Sequence, residues 1–233
     1  IDAHAEIPNN YLQLVVEILR ESGAVNVGGV MGAEGITFFE SAVAAAMCSP
    51  FGVGGSRFHT GGKAGFVDTV YLGAFIRQAV VDTGGFDERF IRAQDWELNY
   101  RLRQAGGKIF FDPRLHVTYR PRSSVEALAK QYFEYGRWRR VVSRRHQGTI
   151  NYRYLAPPFA LIGTSLSIVF ALMINQIFII PAAIYGIFLI LASLITGKGI
   201  IEKLLLPIVL FTMQMSWGLG FLTSPKTLAP SKG

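Results

Sequence analysis

Near the start of the chain, Asp2-Ala3-His4 sets a carboxylate and an imidazole one residue apart. On an extended backbone alternate side chains leave the same face, so both can reach one divalent cation such as Mn²⁺ or Mg²⁺. The same tripeptide also fits a polar turn ahead of a helix begun near Pro8. A second constellation is Gly84-Gly85-Phe86-Asp87-Glu88, followed by Gln94-Asp95-Trp96-Glu97-Leu98. Asp95 falls in the first turn of an expected helix, where unpaired N–H groups and the helix dipole favour its ionised form. A carboxylate held that way suits a general base that takes a hydroxyl proton; simple helix capping is the plainer reading. In a third segment, Gln131 to Trp138, helical spacing puts Gln131, Tyr135 and Trp138 on one face. Arg137 and an indole N–H there can meet a phosphate or diphosphate. The same face also reads as the aromatic-basic edge of an amphipathic helix lying on a membrane.

The elements that must position these residues alternate between helix and strand, which predicts an α/β domain. Leu12, Val15, Val16 and Leu19 recur at helical spacing over Tyr11–Glu21, with Gly23 at the end. Val25–Met31 reads as a strand, and Thr37-Phe38-Phe39-Glu40 as a capping box opening a helix through about Met47. Ser49–Gly65 is rich in glycine and reads as a mobile loop, and Phe66–Phe75 as a strand. Gly84-Gly85 marks a turn, and Gln94–Gln104 a helix stopped by Gly106-Gly107. Lys108–Asp112 and His116–Tyr119 read as two short strands, and Ser123-Ser124-Val125-Glu126 as a capping box before a long helix.

Bulk composition divides the chain. Half of its 233 residues are hydrophobic and 17% are charged, with a mean hydropathy of +0.31. Residues 156–222 are nearly all apolar, with Glu202 as their single acid. Ala156–Ile174 and Ile177–Ile195 are each near the ~20 residues that a spanning helix needs. Leu204–Leu222 is a third run, interrupted by Pro207, Gly218 and Gly220, and reads either as a span or as an interfacial helix. The formal charge is +7, and Arg137, Arg139, Arg140, Arg144, Arg145 and Arg153 crowd the stretch before the first apolar run. Basic residues there favour the cytoplasmic side and anionic headgroups over nucleic acid. The single cysteine, Cys48, excludes an internal disulfide and a cysteine-rich zinc site. These limits divide the chain at 1–154, 155–223 and a polar tail, 224–233. It opens on Ile1 with no signal peptide ahead and reads as a cut through a longer protein.

Taken in order, the Asp-Ala-His tripeptide, the Gly-Gly-Phe-Asp-Glu and Gln-Asp-Trp-Glu-Leu segments, Gln131 with Arg137-Trp138, and the apolar helices carry a likeness. Together they resemble the family 2 glycosyltransferases of GT-A fold, in their bacterial exopolysaccharide group. The likeness runs from Ile1 to about Leu222 and is most specific over Val67–Pro113. It implies the C-terminal half of a GT-A domain, truncated at its N-terminus and followed by transmembrane helices. Asp2 and His4 match the family's Asp-x-Asp element, with His in place of the second Asp, and would hold Mn²⁺ or Mg²⁺ and the donor diphosphate. Asp95 matches the catalytic base, in a Gln-Asp pair where Glu-Asp is commoner. Gln131, Arg137 and Trp138 resemble the diphosphate-binding Gln-x-x-Arg-Trp element, with a spacing three residues longer. Tyr71, Gly73 and Phe75 fall where such enzymes line the acceptor site.

The resemblance therefore implies an inverting transfer from a nucleotide-sugar donor to a polyprenyl-linked saccharide acceptor. It places the protein as multi-pass in the bacterial inner membrane with its catalytic domain in the cytoplasm, among membrane lipids and other polysaccharide-assembly proteins. Donor-binding strands that precede Asp-x-Asp in this fold are not in the sequence, so the activity is expected of the longer protein. A processive polysaccharide synthase and a non-catalytic membrane adaptor are the alternatives.

Overall fold

The computed structural model describes residues 5–228; Asp2 and His4 lie outside them. Contacts divide the chain into two compact units, Ile1–Glu34 with Met47–Pro121, and Gly35–Ala46 with Arg122–Gly233. The elements begin with β1 (Ala5–Glu6), α1 (Tyr11–Ser22), β2 (Asn26–Ala33) and α2 (Phe38–Met47). Two short helices, α3 (Pro50–Val53) and α4 (Arg57–Thr60), precede β3 (Gly65–Val67), β4 (Tyr71–Phe75), α5 (Arg77–Asp82), α6 (Gln94–Gln104) and β5 (Ile109–Tyr119). Helices α7 (Val125–Arg145), α8 (Tyr152–Met173), α9 (Ile180–Thr196) and α10 (Ile200–Thr223) complete the chain.

In the first unit β5 is the hub of a mixed sheet. β2 runs parallel to it, while β1 and β3 pair antiparallel near its opposite ends. β4 then pairs antiparallel with β2. Strand alternation sorts side chains between two clusters. Tyr11, Val15 and Ile18, spaced along one stripe of α1, are buried with Val27, Leu115 and Val117. Leu98 and Leu102 of α6 are buried with Val70, Ile109 and Phe111. Phe110, between Ile109 and Phe111, packs against the α1 cluster instead.

Several expectations are corrected here. The two strands expected at 108–112 and 116–119 are one strand, because the β2–β5 register shifts by a bulge between Gly28 and Val30. Pro113, which has no N–H to give a ladder, sits in that bulge. Arg114 pins it, meeting Asp112 beside it and Glu17 and Glu21 on α1. The segment 49–65, expected as a loop, holds α3 and α4. The strand expected over 66–75 is two, β3 on β5 and β4 on β2. α5 was not expected, since six residues are too few for a helical period to declare itself.

The second unit is helical. Thr37 and Glu40 form the expected capping box on α2, with Glu40 accepting from the Thr37 N–H and Thr37 Oγ1 from the Glu40 N–H. On α7 the capping side chain is Ser124, not Ser123; it accepts from the Ala127 N–H. Among the described residues three helices are long and apolar enough to cross a membrane: Tyr152–Met173, Gln176–Thr196, which is α9 with the 3-10 turn Gln176–Ile179 ahead of it, and Ile200–Thr223. The third is continuous through Pro207. Within its most apolar window 44% is buried, against 11% and 17% for the others, so α10 is the helix the others pack around. Glu202 sits at its N-terminus, accepting from the Lys198 and Gly199 N–H groups, which spares an acid from hydrocarbon. Tyr185 on α9 donates to Gln214 Oε1 on α10 at 2.8 Å.

Candidate active site

Asp95 is the second residue of α6 and is exposed. The residue before the helix, Ala93, has φ 58, a left-handed conformation that costs an alanine about 1 kcal/mol. No side chain caps this helix at Ala93. What fixes its start lies two residues past Asp95. Glu97 is only 2% exposed, and its carboxylate accepts from Arg101 Nε at 2.8 Å and Nη2 at 2.7 Å. The same guanidinium donates from Nη1 to the Thr83 carbonyl at 2.6 Å and from Nη2 to the Gly85 carbonyl at 2.7 Å. One arginine therefore ties the first turns of α6 to the Gly84-Gly85 turn. Both glycines have positive φ, 83 and 73, which only glycine adopts without strain. The Gly-Gly-Phe-Asp-Glu and Gln-Asp-Trp-Glu segments are thus one device, joined at Arg101.

A second tie lies deeper. Asn99 donates to Thr69 Oγ1 at 3.0 Å and accepts from Asn26 Nδ2 at 2.7 Å. Asn26 is fully buried at the start of β2. A Cβ on Gly73 would lie 2.5 Å from Asn26 Oδ1, so β4 approaches β2 here as only glycine allows. Phe75 packs with the α6 cluster and meets Phe86 edge-on at 6.1 Å. Gly73 and Phe75 are thereby tied into the scaffold that carries Asp95. Tyr71 packs instead against the α1 cluster and meets Tyr119 edge-on. The alternation breaks at Leu72, whose φ is 45. Along α6, the half-buried Trp96 stacks on Tyr100 at 5.8 Å.

Gln131, Arg137 and Trp138 all lie on α7, in the second unit. Gln131 and Trp138 are buried within that unit. Gln131 Nε2 donates to the Tyr135 hydroxyl oxygen at 2.8 Å. Arg137 is half-buried, pairs with Glu134 at 2.9 Å and lies over the Phe133 ring. Among the described residues no group of three or more His, Cys, Asp or Glu side chains is gathered for a metal ion.

With this geometry in hand, two known proteins are informative. Succinoglycan biosynthesis protein ExoA of Rhizobium meliloti (strain 1021) is 31% identical over 233 aligned residues, covering 95% of this chain and 67% of the relative. The chain belongs to the family 2 glycosyltransferases. A dolichyl N-acetyl-α-D-glucosaminyl phosphate 3-β-D-2,3-diacetamido-2,3-dideoxy-β-D-glucuronosyltransferase of Methanococcus voltae is 30% identical over 169 residues, 72% of this chain. The chain spans half the length of that second glycosyltransferase. No family model and no solved structure matches. This glycosyltransferase thus carries a GT-A-like α/β unit followed by transmembrane helices.

Sequence reasoning passed over Glu97, Arg101, Asn99, Asn26 and Thr69. Glu97 and Arg101 stand four apart, a helical pairing visible in the sequence. Nothing local marks the other three, because their partners lie 73 and 30 residues away.

Proposed function

We propose that the intact protein is an inverting glycosyltransferase. It moves a sugar from a nucleoside-diphosphate donor to a lipid-linked saccharide at the cytoplasmic face of the bacterial inner membrane, in exopolysaccharide or envelope glycan synthesis. The acceptor oxygen attacks C1 of the donor sugar, the C1–O bond to the diphosphate breaks, and its electron pair leaves with the nucleoside diphosphate. Asp95 takes the acceptor hydroxyl proton. The observation that carries this reading is the exposed Asp95 at the head of a helix whose start is locked by the Glu97–Arg101 pair. Gly73 and Phe75, tied to the same scaffold, and Tyr71 on the same strand are the acceptor-side residues; Gln131, Arg137 and Trp138 are assigned to the donor diphosphate. The lipid-linked acceptor is supported by the dolichyl phosphate in the name of the second relative and by three helices suited to a bilayer. A divalent cation would be held by Asp2 and His4 and would neutralise charge on the leaving diphosphate. Among the described residues no His, Cys, Asp or Glu cluster adds further ligands to that pair.

The test is glycosyl transfer by the longer protein in membranes, across nucleotide-sugar donors, with Mn²⁺, Mg²⁺ or chelator. Asp95→Asn is expected to lower kcat by about 10²–10⁴-fold with unchanged thermal unfolding. Turnover within a few-fold of wild type removes Asp95 as the base.

A further inference from the structure

The arginines in the last turns of α7 and the first turn of α8 are held in an unusual way. Tyr154, Trp217 and Phe221 form an aromatic column: Tyr154 stacks on Trp217 at 6.3 Å, and Trp217 on Phe221 at 5.2 Å with planes 12° apart. Arg139 lies 4.4 Å and Arg153 5.2 Å from the Tyr154 ring, at one end. Arg140 lies 5.0 Å from the Phe221 ring, at the other. A π face holds a cation without neutralising it, whereas a carboxylate would cancel its charge. Among the described residues neither Arg140, Arg144 nor Arg153 pairs with a carboxylate, and the buried Arg153 Nε has no hydrogen-bond partner. Residues 122–233 hold twelve lysines and arginines against three glutamates. Burial lowers the Arg139 pKa, Tyr154 opposes this, and the Arg153 charge adds to the lowering. An arriving anion would relieve that repulsion.

We propose that Arg139 and Arg153, mounted at the Tyr154 end of the Tyr154–Trp217–Phe221 column, bind the phosphate of a membrane lipid. The site stands at the start of α8, the first apolar helix, where a headgroup phosphate would lie. Guanidinium groups suit phosphate because their planar N–H forks match its oxygens. The phosphate has two sources, the diphosphate of a polyprenyl-linked acceptor and the headgroup of a bulk anionic phospholipid. The first source rests on the function proposed above; the site itself does not.

Native mass spectrometry of the detergent-solubilised full chain tests this, titrating polyprenyl diphosphate, phosphatidylglycerol and, as zwitterionic control, phosphatidylcholine. Wild type is expected to prefer one or both anionic lipids to phosphatidylcholine. Arg139→Gln with Arg153→Gln is expected to weaken that binding by about fivefold per arginine removed, and lysine at both positions to restore part of it. Loss confined to polyprenyl diphosphate identifies the acceptor lipid as the source; loss confined to phosphatidylglycerol identifies the bilayer. Glutamine variants that bind as wild type does, or a wild type that shows no preference, overturn the site. If the double variant fails to fold, Arg153→Gln alone is read by the same measure. Transfer activity in the same preparations separates the two proposals: an inactive wild type that still binds lipid through these arginines overturns only the function.

Discussion

At the residue scale, the buried carboxylate of Glu97 governs how the candidate base is held. A carboxylate 2% exposed needs a full set of partners, and Arg101 supplies two of its hydrogen bonds while giving two more to backbone carbonyls. Removing the arginine strands a buried charge and frees the Gly84-Gly85 turn together. Arg101→Ala is therefore expected to cost about 3 kcal/mol of stability, read as a lowered midpoint of thermal unfolding. Arg101→Lys keeps the charge but has no planar fork to reach Glu97, Thr83 and Gly85 at once. It should fold, with kcat reduced more than KM is raised, because Asp95 is misplaced while the substrate surfaces remain. An equal change in both constants, or none, would show that Arg101 supports the fold and not the placement of Asp95.

At the scale of elements, the decisive contact in the helical unit is between α7 and α10. A Cβ on Gly136 would lie 2.0 Å from the Trp217 carbonyl oxygen, and one on Gly220 would lie 2.0 Å from that of Phe133. Backbone meets backbone at both points, so neither side chain can swing aside. Arg144 adds hydrogen bonds to the Ser224 and Pro225 carbonyls, and Ser224 Oγ donates to the Arg137 carbonyl. The helix bearing Gln131, Arg137 and Trp138 is thus fastened along its length to an apolar helix. Gly136→Ala is expected to cost about 1–3 kcal/mol by forcing the helices apart, measured as lost thermal stability in detergent. Gly186, with nothing within 4 Å of its Cβ position, is the control: the same substitution there should leave stability unchanged or slightly raised.

For the whole molecule, the three long apolar helices among the described residues mark a membrane-associated protein, and the function proposed above would put its acceptor in the same bilayer. An acceptor confined to the same bilayer is searched for in two dimensions and arrives oriented, which lowers the entropic cost of encounter. A water-soluble saccharide with the same terminal sugar is expected to show at least roughly tenfold lower kcat/KM than its lipid-linked form. Matched initial rates over a range of acceptor concentrations provide the comparison, and equal values would remove the membrane from the mechanism.

Much was legible in the sequence because it is local. The helical period of α1, the capping box of α2, the extent of α6 and the three apolar runs each follow from residues within a few positions of one another. The family likeness is also a property of order and spacing. What only the tertiary structure decided depends on partners far apart in the chain: the β5 bulge set by its register with β2, and the burial of Asn26 against Asn99. The pull of Arg101 on the Gly84-Gly85 turn and the mounting of three arginines on one aromatic column belong with them. Propensity and capping act over one turn of chain, whereas which groups are buried and which arginines meet a ring is chosen by packing, which no window of sequence contains.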